Sequence, residues 1–262
     1  MLSLREIHEE LLAEIKTLEG QVAYVIGSDE EEIRFNDHLP LSPASTIKVP
    51  IIVEALRCCD QGKLSLEQMI EIKHSDRVGG SGVLQAMNAS SISLRDLLTL
   101  MIIVSDNTAT NKVIELVGLE HLNNGFQQME LTSTALNRKM MDIDKIQLGI
   151  DNVTTATDLY NCLRAADDET VLSTNSRTVF YEIMQAQQFQ DKLPFYMDKQ
   201  RLTILNKTGG LAGVENDCGI FRMGDRTVYA AVLCNHLRAE QEGIHFIQSV
   251  GQKINRFLKQ QH

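Results

Sequence analysis

Pro43-Ala44-Ser45-Thr46-Ile47-Lys48-Val49-Pro50 leads directly into the apolar run Ile51-Ile52-Val53-Glu54-Ala55-Leu56. Ser45 and Lys48 stand three residues apart, a spacing that puts both side chains on one face of a helix. A serine hydroxyl is a poor nucleophile at neutral pH unless a neighbouring base takes its proton. A lysine amine is such a base only where burial or nearby positive charge depresses its pKa. The segment therefore reads either as a nucleophile and base at the mouth of an apolar helix or as a helix start with a surface lysine. Ser-x-x-Lys is too common to decide between the two alone.

Working outward from this stretch gives the architecture. On its N-terminal side, Leu4, Ile7, Leu11, Ile15 and Leu18 recur at helical spacing over 2–17, and Gly20 ends that pattern. The run 21–26 reads as a strand, with 31–35 as its hairpin partner across the polar turn 27–30. Pro40, Ser42 and Pro43 mark a loop. On the C-terminal side helical patterning dominates, including a Ser-capped buried helix over 93–104. Strand signals return only at 201–206, 219–223 and 227–233, with 224–226 as a turn, and an amphipathic helix over 239–260 follows.

Two strands alone make no stable sheet. The expected fold is therefore of the α/β class, α+β type. One antiparallel sheet is built from both chain ends and covered by the terminal helices, with an all-helical subdomain inserted between them. As a single catalytic domain over 1–262, the α/β part covers about 1–43 and 200–262 and the helical part about 44–199. The cleft between the two parts is the expected ligand site.

The chain has 262 residues, 43% of them hydrophobic and 23% charged, which is ordinary for a globular protein with a real core. A net charge of -10 and the lack of a basic cluster speak against a nucleic-acid partner. No run is long enough to span a membrane. The start of the chain lacks the pattern of a secretory signal. Cys58, Cys59, Cys162, Cys218 and Cys234 are odd in number and show no Cys-x-x-Cys spacing. They read as reduced, mostly buried thiols, which favours the cytoplasm. The seven histidines are scattered without metal spacing.

Two further segments give Ser45 and Lys48 company. Ser105-Asp106-Asn107 ends the buried helix and offers a hydroxyl for proton relay and an amide to grip a substrate. Asp106 there is expected to turn back onto backbone. Lys207-Thr208-Gly209-Gly210 closes a strand. Lys207 would bring positive charge to the cleft, Thr208 a hydroxyl for a substrate carboxylate, and the two glycines a backbone that a ligand can approach closely. The backbone N–H groups of Ser45 and Gly210 are candidates for an oxyanion hole.

Ser-x-x-Lys, Ser-Asp-Asn and Lys-Thr-Gly in this order form the signature of penicillin-interacting serine enzymes. On these motifs the sequence resembles the class A β-lactamase family over essentially the whole chain. Gly79-Gly80-Ser81-Gly82-Val83-Leu84, Thr154-Thr155-Ala156-Thr157-Asp158-Leu159 and Gly213-Val214-Glu215-Asn216-Asp217 match as well. The resemblance implies a β-lactamase/transpeptidase-like fold and a serine hydrolase that opens cyclic amides through an acyl-Ser45 intermediate. Lys48 would be the base or part of a proton relay. No cofactor and no metal are implied, and a monomer acting on a small-molecule substrate is expected.

Two positions depart from the family pattern. Family members carry a deacylating glutamate in an Arg-Trp-Glu-Pro-like segment. Aligning Arg138 with that arginine puts Met140 in the glutamate's place. Methionine is no base, so Asp142 is the nearest candidate, with Asp144 next and Arg138 as a partner for Asp142. Slow deacylation is expected. The second departure is Glu215, which would repel a substrate carboxylate unless it points to solvent. Two alternatives stay open: a penicillin-binding peptidase or esterase acting on another substrate, and a non-catalytic module that is acylated and holds the acyl group.

Overall fold

The alternation of apolar residues along the end segments dictates a sheet with two buried faces. In a strand, successive side chains point to opposite sides. Along 22–26, Val22, Tyr24 and Ile26 join one apolar cluster while Ala23 and Val25 join the other. The same split separates Val228, Ala230, Val232 and Cys234 from Tyr229, Ala231 and Leu233. The structure, a computed structural model, describes residues 2–260.

The sheet has five strands in the order β2-β1-β7-β6-β5. They are β1 (Gln21–Gly27), β2 (Glu32–Phe35), β5 (Thr203–Leu211), β6 (Val214–Met223) and β7 (Arg226–Asn235). All neighbours run antiparallel, and β1 meets β7 in a register from Gln21 opposite Asn235 to Gly27 opposite Tyr229. The two chain ends therefore close one sheet, as the strand distribution predicts. On one face pack α1 (Leu4–Ile15) and α9 (Glu240–Leu258), through Leu4, Ile7, Leu11, Phe246, Ile247, Val250 and Ile254. A Ser3–Glu6 capping box starts α1.

On the other face α7 (Ala156–Asp167) and α8 (Thr174–Gln185) pack on the strands, with α2 (Lys48–Asp60), α3 (Leu94–Ile103), α4 (Asn107–Val117) and α5 (Leu119–Gln128) behind them, while the short α6 (Ile143–Gln147) buries none of its residues. One continuous apolar cluster runs from this sheet face into α2, α3, α4, α5, α7 and α8. Residues 48–56 of α2 are all buried, the pattern of a helix surrounded on every side. Pro50 sits in its first turn, where its missing N–H leaves no helical bond unmade. Among the described residues no helix is long and apolar enough to cross a membrane.

Three expectations need correction. The middle segment is not all-helical, because β3 (Met69–Glu71) pairs with β4 (Ser91–Ser93). Two three-residue strands are too short to show a period in sequence. β5 does not end before Lys207 but runs through Lys207, Thr208, Gly209 and Gly210 to Leu211. β6 starts at Val214 and takes in Glu215, Asn216 and Asp217. Glycines and buried polar residues disguised both extensions as turns.

Candidate active site

Ser45 lies not in an α-helix but in a 3-10 turn, Ala44–Ile47, and Lys48 is the first residue of α2. The substitution of one helix type for the other tightens the pairing. At three residues per turn, positions i and i+3 eclipse, so Lys48 Nζ sits 3.1 Å from Ser45 Oγ. Ala44 holds a left-handed φ of 46°, and Ser105 one of 55°. Both are strained conformations for residues with a side chain, and they flank the Ser45–Lys48 pair.

Lys48 is fully buried and meets four oxygens. Besides Ser45 Oγ these are the Ser105 carbonyl at 2.7 Å, Ser105 Oγ at 2.9 Å and Asn107 Oδ1 at 3.0 Å. Asn107 Nδ2 donates to the Gly79 carbonyl at 3.0 Å, which fixes Oδ1 toward the lysine. Burial first, and the charge of Lys207 second, hold the Lys48 amine well below its ordinary pKa, against an opposing pull from Asp106. A neutral amine has two N–H bonds and one lone pair. The Ser105 carbonyl and Asn107 Oδ1 can only accept, so they take the two N–H bonds. The lone pair is left for a serine hydroxyl.

Asp106 caps α4 and accepts from the backbone N–H groups of Ala109, Val83 and Leu84 at 2.9, 2.7 and 2.7 Å. It thereby pins the glycine-rich 79–84 loop against the head of α4. Lys207 is fully buried, donates to the Thr208 carbonyl at 2.7 Å, and titrates at about 7, pushed down by burial against the opposing charge of Asp217. It bears on Lys48 through charge.

Ser45, Asn107 and Gly210 line a cavity of about 290 Å³, together with Gly80, Arg138, Met140, Asp151 and Leu211 among others. Lys48, Ser105, Lys207, Thr208 and Gly209 are absent from that lining. β5 is one of the two edge strands, and its passage past the 3-10 turn requires glycine at 209. A Cβ there would lie 2.8 Å from the Pro43 carbonyl and 3.1 Å from the N atoms of Ser45 and Thr46. All three are backbone and cannot swing aside. Gly209→Ala is expected to cost about 1–3 kcal/mol of stability, as overpacking does, and to slow any reaction at Ser45. Denaturation midpoints and initial rates of the variant check this, and unchanged values in both would refute the close contact.

The structure separates the carboxylates that sequence could not. Asp142 is not in the cavity wall. Its side chain caps α6, accepting from Lys145 N at 3.2 Å. Arg138 pairs not with Asp142 but with Asp151, at 2.7 Å, and Asp151 does line the cavity. Met140 is in the wall, with its backbone clamped by Asn111: Met140 N donates to Asn111 Oδ1 at 2.7 Å and Asn111 Nδ2 to the Met140 carbonyl at 3.0 Å. Asn111 escaped sequence reading, although its place four residues after Asn107 on α4 puts both on one helix face.

Glu215 points neither into the cavity nor to solvent. It is buried and paired with Lys192 Nζ at 2.5 Å, and Lys192 also donates to the carbonyls of Gly209 and Asn216 at 2.6 and 3.1 Å. The expected repulsion of a substrate anion is thus neutralised by a lysine that nothing in its local sequence marks out. A larger cavity, of about 510 Å³, is lined by Arg164, Asp167 and Tyr229 among others; Tyr229 donates there to Asp167, and burial raises the pKa of its phenol, which keeps that hydroxyl a poor nucleophile. The chemistry therefore favours the smaller cavity. One grouping of three metal-capable side chains exists among the described residues, Glu54, Cys58 and His121, and none of them lines the Ser45 cavity.

An antiparallel sheet closed from both chain ends, with a helical segment holding a serine–lysine pair against one edge strand, is the architecture of β-lactamase and transpeptidase-like proteins. Within that class, the chain belongs to the beta-lactamase enzyme family, whose sequence model matches residues 3–258. It is 22% identical to a beta-lactamase of Bacteroides uniformis over 243 residues, 85% of this chain and 80% of that one. It is 30% identical to beta-lactamase PSE-4 of Pseudomonas aeruginosa over 115 residues, 44% and 39% of the respective chains. Among solved structures, a beta-lactamase from Sphaerobacter thermophilus superposes with a TM-score of 0.89 at 27% identity, covering 98% of both chains. PBP-A does so with a TM-score of 0.88 at 24% identity, covering 97% of this chain and 96% of that one.

Proposed function

We propose that this protein opens β-lactam rings by acyl transfer to Ser45 and releases the product slowly. The observation that carries the reading is the buried Lys48 amine, its pKa held well below the ordinary lysine value, within 3.1 Å of Ser45 Oγ. As Oγ bonds to the ring carbonyl, its proton passes to Lys48 Nζ. The developing oxyanion is met by the backbone N–H groups of Ser45 and Gly210. The ring C–N bond then breaks as Ser105 Oγ, 2.9 Å from Nζ, gives its proton to the leaving nitrogen and takes in its place the proton that Lys48 received from Ser45, which leaves the amine neutral again. Asn107 and the free edge of β5 orient the ring's substituents.

Hydrolysis of the acyl-serine needs a second base to activate water. The family's glutamate position is held by Met140, and Asp142 is engaged as a helix cap. The engagement of Asp142 as a cap and the methionine at 140 support a second reading, a protein that is acylated and keeps the acyl group. A variant of PBP-A has been solved as an acyl-enzyme complex with penicillin G. Rapid-mixing hydrolysis of a chromogenic β-lactam tests the proposal: a burst of about one equivalent, then a slow steady phase. No ring opening above the uncatalysed rate would overturn it. A burst with no steady phase at all would favour the second reading.

Lys207 sets a pH limb. A lysine is a cation below its pKa and neutral above it, so its pull on a substrate carboxylate is lost as pH rises through about 7. For carboxylate-bearing β-lactams, kcat/KM, which reports the free enzyme, is expected to fall above that pH. A carboxylate-free ester is expected to show no such limb. A limb of equal size with both substrates would exclude a contact between Lys207 and the substrate carboxylate as its source.

A further inference from the structure

Glu54 and Cys58 stand four residues apart on α2 and so share a face. His121 on α5 meets that face from the side. The three donor atoms form a compact triangle. His121 Nε2 lies 3.3 Å from Glu54 Oε1 and 3.4 Å from Cys58 Sγ, and Sγ lies 3.8 Å from Oε1. Zinc takes nitrogen and oxygen ligands at about 2.0 Å and sulfur at about 2.3 Å in a tetrahedron, which separates neighbouring ligand atoms by about 3.3–3.6 Å.

We propose that Glu54, Cys58 and His121 form a binding site for a divalent transition metal of the zinc type, tying α2 to α5. A thiolate, an imidazole and a carboxylate are the ligand set that suits this ion class. The two oxygens of Glu54 are already divided between tasks. Oε2 is held by the Arg57 guanidinium at 2.5 Å, and that arginine is anchored in turn on Gln128 Oε1 at 3.0 Å. Oε1 is the oxygen left facing the sulfur and the imidazole. The α5 face is shaped for this carboxylate, because a Cβ at Gly125, one turn beyond His121, would overlap it. The His121 side chain is 40% exposed, which gives an ion access and leaves solvent to fill the fourth position. Binding converts the Cys58 thiol to a thiolate, and its proton leaves to solvent. Sequence spacing hid the site because His121 lies 63 residues beyond Cys58.

The test is a titration of the chelator-treated full chain with Co2+ alone. One equivalent is expected to produce visible ligand-field bands of a four-coordinate ion and a thiolate-to-cobalt charge-transfer band. Zn2+ is expected to displace the cobalt and raise the melting temperature. Cys58→Ser must remove the charge-transfer band, while Cys59→Ser must keep it. His121→Ala is expected to weaken binding by at least about tenfold, the loss seen when even an outer partner of a metal ligand is removed. His121 is partly exposed, so that variant is expected to fold whether or not replacement of buried Glu54 does. A parent protein without these bands at one equivalent, a charge-transfer band that survives Cys58→Ser, or equal Zn2+ stabilisation of the parent and His121→Ala would each overturn the proposal.

Discussion

Ser45→Ala is expected to abolish covalent capture of a β-lactam while leaving the fold intact. The alanine removes only Oγ. Lys48 keeps its contacts to the Ser105 carbonyl, Ser105 Oγ and Asn107 Oδ1, so no buried group loses its last partner. Loss of the nucleophile in a serine hydrolase lowers kcat by as much as about 10⁶. Intact-mass measurement after incubation with a penicillin should show one added acyl group on the parent and none on the variant. Equal labelling of both proteins would remove Ser45 from the chemistry, whatever the rates. The metal-site experiment does not depend on this result, since its ligands lie outside the Ser45 cavity.

Met140→Glu is expected to act in the opposite direction, raising the rate at which the acyl group leaves. The Met140 backbone is fixed on both its N–H and its carbonyl by Asn111, so a side chain at 140 is held in the cavity wall. A glutamate there is about as long as the methionine it replaces, and at 8% exposure its carboxylate would sit largely out of water. Burial raises a carboxylate's pKa and makes it a better base. A positioned general base contributes a factor of about 10²–10⁴. The slow phase after the burst is expected to accelerate by a gain in that range, with acyl-enzyme no longer accumulating in the mass spectrum. Asp142→Asn serves as the control. Its side chain caps α6, and asparagine caps a helix about as well as aspartate, so both stability and turnover are expected to stay close to those of the parent. Asp151→Asn addresses the remaining carboxylate of the wall. Should the parent turn over fast and this variant stall as acyl-enzyme, Asp151 would be the base and slow release would be refuted.

The parts of the fold that sequence reveals are those whose partners are apolar. The alternation along 21–26 and 227–233 announces a two-faced sheet because any strand burying Val, Ile and Leu on both sides must have cover on both. Lys207 to Gly210 and Glu215 to Asp217 resisted reading for the converse reason. Their polar groups are satisfied by residues distant in sequence, and no local pattern reports a hydrogen bond to Lys192 or Leu193. Asn206, for instance, donates to Asp217 at 3.2 Å across β5 and β6. The catalytic candidates were legible as three short motifs. Their chemistry demands particular side chains at particular spacings, whatever surrounds them. The choice among Asp142, Asp144 and Asp151 was not legible. It turns on which way one loop folds, and that depends on Arg138, Asn152 and Asn111, each a polar clamp with no signature of its own.

The closing of one sheet by both ends of the chain fixes an order of events during synthesis. By the time α8 has left the ribosome, Ser45, Lys48, Ser105 and Asn107 have all been made, yet the strand that walls their cavity has not. β1 and β2 wait as an isolated hairpin, which is marginal in water, for a partner about 200 residues downstream in β7. A nascent chain stalled before Thr203 therefore carries the nucleophile and its base without Lys207 or Gly210. It is expected to be protease-sensitive and inert toward a β-lactam probe. Competence at Ser45 then arrives late and all at once, with the last three strands, so that an incomplete polypeptide is never mistaken by substrate for a finished one.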